Sequence, residues 1–440
     1  MTRAAGAPPP APAAERVGYR QLLAVAPYRV LLCGYGLGTV AESLRAVALS
    51  VLVLTATGST VLGALAYGIS FIPQVIGSGL FGNVADRVQP ARLIGLGYLL
   101  EGATAVVLVL VALPYWAVLA LVAAVAATTP VSQGATGRAV AEVLPGAAYV
   151  PGRSLLNVVS SGAQLLGLGC GGLAVAALGA RRALLVTALA HLAAGLWVAA
   201  RLGPLPLPAP RPASGRRSGV GGRRSGVGRR RSTVGGSWAE NGRLLADRRV
   251  RLLLLVRWLP PAFATGAESL VLPYVRDRGL STGTGGVLLA CLPVGMLVGN
   301  TVLGRFVRTG TVERSVLPLL AVLGAPLLAF AVPGLPVALG GVLLVAVGVG
   351  FCYSLGLQRP FLAAVPERSR GQAFGLQSTG LMTAQGLSPV AAGLIAEAMT
   401  TGRSVAVMGV LVLATAGLFA RRLPALVTAP PAGATPLTAS

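Results

Sequence analysis

The chain has 440 residues, 54% of them hydrophobic and 11% charged, with a mean hydropathy of +0.77; soluble domains carry about 25% charged residues, so this is the composition of a membrane protein. All 36 basic residues are arginine, set against 12 acidic ones, for a net charge of +24. With no lysine the chain has no phosphate loop ending in Lys and Ser/Thr, and with one histidine it has no histidine-based hydrolytic constellation. An ATPase and a hydrolase of that kind are excluded, and no cofactor or metal site is expected.

Residues 1–27 are rich in proline and alanine and lack the apolar core of a signal peptide, which predicts a retained, disordered cytoplasmic tail. From there, solidly apolar runs follow one another. Each is long enough to cross a hydrocarbon core of ~30 Å as a helix, and none alternates as the strands of a membrane barrel do. The pattern predicts twelve transmembrane helices, over 28–55, 60–83, 93–112, 115–137, 153–178, 183–202, 250–275, 284–305, 313–333, 335–357, 370–398 and 402–421. They divide six and six into an N-terminal bundle, 28–202, and a C-terminal bundle, 250–422, with a cytoplasmic C-terminal tail at 423–440. The four cysteines, Cys33, Cys170, Cys291 and Cys352, lie in different spans without metal-site spacing and read as small buried hydrophobes.

Residues 203–249 form the one long polar stretch, opening "GPLPLPAPRPASG" and repeating the heptad "GRRSGVG" at 215–221 and 222–228. This composition predicts a flexible cytoplasmic linker between the bundles. Arginine beside glycine is one way to bind RNA, but no aromatic residue interleaves the repeat to stack bases. A solvated connector resting against anionic headgroups is the expected role, with no nucleic acid partner. The arginine distribution supports it. With the N-terminus in the cytoplasm, 29 of the 36 fall on that side, five outside (Arg181, Arg182, Arg276, Arg278, Arg403) and two inside spans (Arg45, Arg257). That is the positive-inside bias, so the charge encodes orientation in a cytoplasmic membrane with both termini inside.

The halves repeat. Arg138, Pro145, Gln164, Gly172 and Leu173 recur as Arg359, Pro366, Gln385, Gly393 and Leu394, all at an offset of 221 residues. A six-plus-six chain with similar halves predicts a transporter whose site lies at their interface. The tetrapeptide "AESL" also occurs twice, at 41–44 and 267–270, five residues out of that register.

Ionisable residues at mid-membrane are costly, at ~2.5–3.5 kcal/mol on insertion scales, and usually face a cavity. Glu42 and Glu268, the acidic members of the two "AESL" segments, are therefore candidates for proton coupling or cargo binding. Arg45, three residues after Glu42, is its helical neighbour. The pair reads either as a coupling site or as a structural ion pair. Glu268 follows Pro260 and Pro261, which remove backbone donors and predict a kinked helix of the sort that lines a transport path; placement near the external end is its other reading. Glu101, Glu397 and His191 are weaker candidates. A lone histidine is more often a hydrogen-bonded buried group than a proton relay. Gln164 and Gln385 read as cavity polar groups or as interhelical hydrogen bonds. Arg138 and Arg359 read as structural, bonding carbonyls or Glu142 and Glu367, with gating as a second role.

The loop after the second span, "GNVADRVQPAR", places Gly82, Asp86, Arg87 and Arg92 in a pattern that resembles the signature loop of the major facilitator superfamily. In that family the cluster is understood to latch the two halves on the cytoplasmic side. The closing basic pair is thinned here to Arg92, and the equivalent second-half loop, "GNTVLGRFVRTGTVER", keeps Gly299, Arg305 and Arg308 without an aspartate. The segments "ESLRAVALSVLVLTATGS", "GRAVAEVLPG" and "SLLNVVSSGAQLLGLGCGGL" look like the exporter branch that includes siderophore and multidrug efflux proteins, with Glu42 at the branch's acidic position in its first helix. The resemblance covers most of residues 28–422. It implies an all-α integral membrane protein of major facilitator fold. The expected function is proton-coupled efflux of a small amphipathic cargo across the lipid bilayer, by a non-enzyme with no obligate protein partner. A nutrient symporter and a non-transporting protein that keeps the fold are the alternatives.

Overall fold

A computed structural model describes residues 19–81, 88–145, 148–203, 234–306, 314–366 and 369–420. Every regular element among them is helical. This is the expected all-α class, and its cause is the solvent: in hydrocarbon a backbone amide finds no water, so each segment must satisfy its own hydrogen bonds.

The chain opens with α1 (Tyr19–Ala24), a short helix inside the stretch expected to be a disordered tail, and α2 (Ala26–Thr57). Pro27 stands in the first turn of α2, where no amide partner is lost, and Gly58 ends the helix at φ 71 with its amide on the Leu54 carbonyl. The second span is two helices, α3 (Thr60–Gly68) and α4 (Phe71–Phe81). Next come α5 (Pro90–Leu110), the pair α6 (Tyr115–Ala126) and α7 (Thr129–Val143), α8 (Tyr149–Leu178) and α9 (Ala180–Arg201). From residue 234 onward come α10 (Val234–Ala246), α11 (Arg248–Ser269), α12 (Val271–Asp277), α13 (Thr282–Phe306), and α14 (Val316–Leu328) with a 3-10 turn at Ala329–Ala331. The chain finishes with α15 (Val337–Gly350), α16 (Tyr353–Gly356), α17 (Gln358–Ala364), α18 (Arg370–Ala398) and α19 (Thr401–Ala420).

Among the described residues, nine helical stretches are long and apolar enough to cross a membrane. The other three expected spans are helical too. The stretch Val316–Ala331 is apolar but shorter, α11 carries Arg248, Arg249, Arg251 and Arg257, and α18 is richer in polar side chains. The expected linker is shorter than the sequence suggests, because α10 occupies its last third. That helix is held to α18 by the Ser369 hydroxyl donating to Glu240 (2.6 Å) and the Gln372 amide donating to Asn241 (2.8 Å). Asp247 then caps α11, accepting from the amides of Arg249 (2.8 Å) and Val250 (3.0 Å).

Before the linker, α2 packs on α8 and α9, and α5 on α9; after it, α11 packs on α18 and α19, and α13 on α15. The two sets meet along α8 with α13, and α18 with α3 and α4. At the first seam the backbones touch: a Cβ at Gly172 would lie 2.1 Å from Cα of Gly286, and one at Gly286 2.3 Å from Cα of Gly172. Only glycine on both helices permits that approach. Further contacts between the sets gather at the end of the molecule where residues 57–60 turn, here called the far end. The Ser59 hydroxyl donates to Glu397 (3.0 Å), Arg276 reaches the Leu54 carbonyl (3.5 Å), and Gly393 crosses Val61.

Both prolines predicted to kink the seventh span lie inside α11. Pro260 cannot donate to the carbonyl four residues back, Val256, and the Tyr353 hydroxyl of α16 does so instead at 2.9 Å. Glu268 follows about two turns later in the same helix.

Candidate functional site

Between the two sets lies a cavity of about 450 Å³. Three carboxyl groups open onto it, Glu42 from α2, Glu101 from α5 and Glu268 from α11, together with both repeat glutamines, Gln164 from α8 and Gln385 from α18. Its apolar lining includes Phe71, Met296, Phe351 and Met382. Toward the linker end it continues into a polar region lined by Gln74, Gln133, Arg153 and Asn157.

Glu42 is bound to Arg45 by the i, i+3 spacing of α2. The two side chains differ in setting: Arg45 is 3% exposed and Glu42 40%, so the carboxylate faces the cavity while the guanidinium is buried behind it. A buried guanidinium needs an anion beside it, and a second one is near. Glu101, on the neighbouring α5, lies within electrostatic reach of Arg45 and places Oε2 2.8 Å from Nε2 of the fully buried His191 on α9. Thr129 donates to the other Glu101 oxygen at 3.4 Å. Donor atoms of Glu42, Glu101 and His191 lie within 4.8 Å of one another. Arg45, bonded to Glu42 in that cluster, supplies its permanent positive charge.

Glu268 does not approach Arg257, which donates to the Ser354 carbonyl instead (3.2 Å). Its partner comes from the other set: the Tyr67 hydroxyl of α3 donates to Oε1 at 2.8 Å. Of the repeated glutamines, Gln385 donates to Thr265 on α11 (3.0 Å), and Gln164 to Ser160 one turn back on its own helix (3.2 Å). Equivalent positions in the repeat thus make unlike bonds.

Tyr67, Tyr98, Gln74 and Phe351 are cavity residues that the sequence reading did not single out. A tyrosine inside an apolar run, as in "ALAYGISF", was the available signal for Tyr67. Arg138 pairs with Glu142 (3.4 Å) and donates to the Val88 carbonyl (2.8 Å), which ties α7 to the segment leading into α5. Arg359 is exposed in the first turn of α17, and Arg92 is exposed at the start of α5. Gly82, Asp86 and Arg87 lie outside the described residues. Of the weaker candidates, Glu397 bonds Ser59 at the far end. Among the cysteines, Cys33 and Cys170 are exposed and not buried as expected, Cys291 is half-buried and Cys352 is buried; the helix faces that hold the first two point away from the packed interior.

The arrangement can exchange protons and hold a cation or an amphipathic molecule. The family model described as Major Facilitator Superfamily matches residues 31–359. No curated protein matches the chain in sequence. Among solved structures, it is similar to a bacterial homologue of the human lysosomal transporter Spinster, inward-facing and unoccupied, with 15% identity, a TM-score of 0.64, and 92% of this chain and 98% of that one covered. A POT family transporter in complex with a thioalcohol-conjugated peptide gives 11% identity and a TM-score of 0.67, covering 91% and 96%. The nucleoside transporter NupG gives 13% and 0.65, covering 90% and 99%. At these identities the likeness is one of fold.

Proposed function

Because the chain belongs to the Major Facilitator Superfamily, we propose that it is a secondary carrier exporting a small amphipathic molecule in exchange for protons, with Glu42 and Glu268 as the groups that exchange proton and cargo. The observation that carries this reading is the convergence of carboxyls from both sets of helices on one cavity between them. Residues 28–202 and 250–422 act as two bundles that rock about that cavity and expose it to either side in turn. The arginine bias puts the protein in the cytoplasmic membrane with both termini inside, so the far end faces outward. Protonation from outside weakens cargo binding, and cargo release resets the cycle. Glu42 suits this role because 40% of its side chain meets the cavity while Arg45 holds its inner side. An aromatic and methionine lining between carboxyls suits a lipophilic cation better than a sugar, whose hydroxyls need many polar partners.

The experiment follows proton movement in everted vesicles carrying the wild type or Glu42→Gln, across a panel of lipophilic cations, antibiotics and siderophores. A cargo that collapses the pH gradient only in the wild type supports export through Glu42. Gradient-driven transport that survives Glu42→Gln removes that assignment. Cargo-driven proton movement only in right-side-out vesicles replaces export with uptake, and its absence in both orientations leaves the non-transporting reading.

A further inference from the structure

His191 is the one histidine of the chain and is wholly buried. Its Nδ1 lies 3.0 Å from the Thr187 carbonyl oxygen. A carbonyl only accepts, so Nδ1 carries a hydrogen. In the neutral ring Nε2 then presents a lone pair, and that atom stands 2.8 Å from a carboxyl oxygen of Glu101. Two lone-pair atoms at that separation repel unless a proton sits with one of them. A proton shared at this contact relieves that repulsion, and is one more than a neutral imidazole beside a carboxylate carries.

That proton sets the charge of its surroundings. Counting Glu42, Arg45, Glu101 and His191, the group is neutral with the proton and singly negative without it. Arg45 is bonded to Glu42 through one terminal nitrogen, and the other, Nη1, is buried with no hydrogen-bond partner among the described residues. A negative Glu101 gives Arg45 a second anion to answer and loosens its hold on Glu42. We propose that a second proton of the cycle resides between Glu101 and His191, and that Arg45 transmits its presence to Glu42, which exchanges proton and cargo. This rests on the proton-coupled reading above and adds a proton site one helix behind the carboxylate that the sequence singles out.

The groups facing His191 are few. From α5 come Glu101 and Tyr98, the latter with its ring centroid 6.5 Å away; from α2, Glu42 and Arg45; and from α9 itself, the Thr187 carbonyl. The titratable residues of α8, which also packs on α9, lie elsewhere: Arg153 lines the linker-end region, and Tyr149 and Cys170 are exposed. Among the described residues, the proton thus has a defined home with no competing anion beyond Glu42 and Glu101.

A single histidine makes the test direct. The full-length protein, labelled with 15N-histidine in nanodiscs, is titrated by NMR from about pH 5 to 8, the range in which imidazole charge changes are read. Nδ1 is expected to stay protonated throughout, while Nε2 passes through one transition that Glu101→Gln abolishes or displaces and Arg45→Gln displaces. An Nε2 state that does not change across the range, or a transition indifferent to Glu101→Gln, overturns the proposal. So does a transition abolished by stoichiometric Zn2+ and restored by EDTA, which assigns the cluster to a metal cation. The wild-type titration needs no variant to fold and no cargo to be known. If no cargo moves protons in vesicles, the transport reading falls, while the titration still decides where the proton sits.

Discussion

Alanine at Gly172 tests how the two sets of helices close. Its Cβ would stand 2.1 Å from Cα of Gly286, whereas carbon atoms in contact sit at about 3.5–4.0 Å. The helices must part by about 1.5 Å, because the obstructing atom is backbone and has no rotamer to yield. Overpacking of this kind costs about 1–3 kcal/mol, a shift of about 5- to 150-fold in the population of the state closed at the far end. The assay places a cysteine at Thr39, which lines the cavity, in a chain whose four native cysteines are replaced. A membrane-impermeant maleimide is then added from outside to right-side-out vesicles. Gly172→Ala is expected to raise the labelling rate within that range. Gly162→Ala is the control on the same helix, since a Cβ there meets nothing within 4 Å. Equal rates in the parent, the control and Gly172→Ala would refute the idea that this glycine pair holds the closed end together.

The hydrogen bond between Tyr67 and Glu268 joins the two sets, so a double-mutant cycle with Tyr67→Phe and Glu268→Gln, read by thermal unfolding in detergent, should return a coupling energy of about 0.5–3 kcal/mol; a value near zero would mean the contact does not form. Replacing the helix cap Asp247 by alanine should cost about 0.5–2 kcal/mol, with asparagine retaining most of it. Equal losses for both substitutions would assign the effect to charge and not to capping.

Much of the fold is legible in the sequence because hydrocarbon imposes a crude rule, a long apolar run for every crossing. The interruptions are not legible in that way. The break after Gly68 falls between two equally apolar segments and depends on what the neighbouring helices offer to the freed backbone, while those after Ala126 and Gly350 sit where the text turns more polar inside what the apolar-run rule reads as one span. The candidate site divides similarly. Glu42 and Glu268 stand out as isolated charges in apolar text, and Arg45 is found by helical spacing alone. Glu101 and His191 are 90 residues apart, so their contact is a product of α5 packing on α9 that no local pattern carries. The repeat marks Gln164 and Gln385 as cavity groups but not their partners, which differ between the two matching places.

The Tyr353 hydroxyl that completes the backbone at Pro260 sits just beyond the break at the end of α15. The proline turn of α11 and the break between α15 and α16 therefore share one hydrogen bond. A change in the angle of α11 pulls on α16, and a change in α16 alters the support under α11, so neither joint is free to flex alone. Glu268, two turns past the prolines, rides on this linkage. Its reach into the cavity is geared to a helix that bears no charged group of its own.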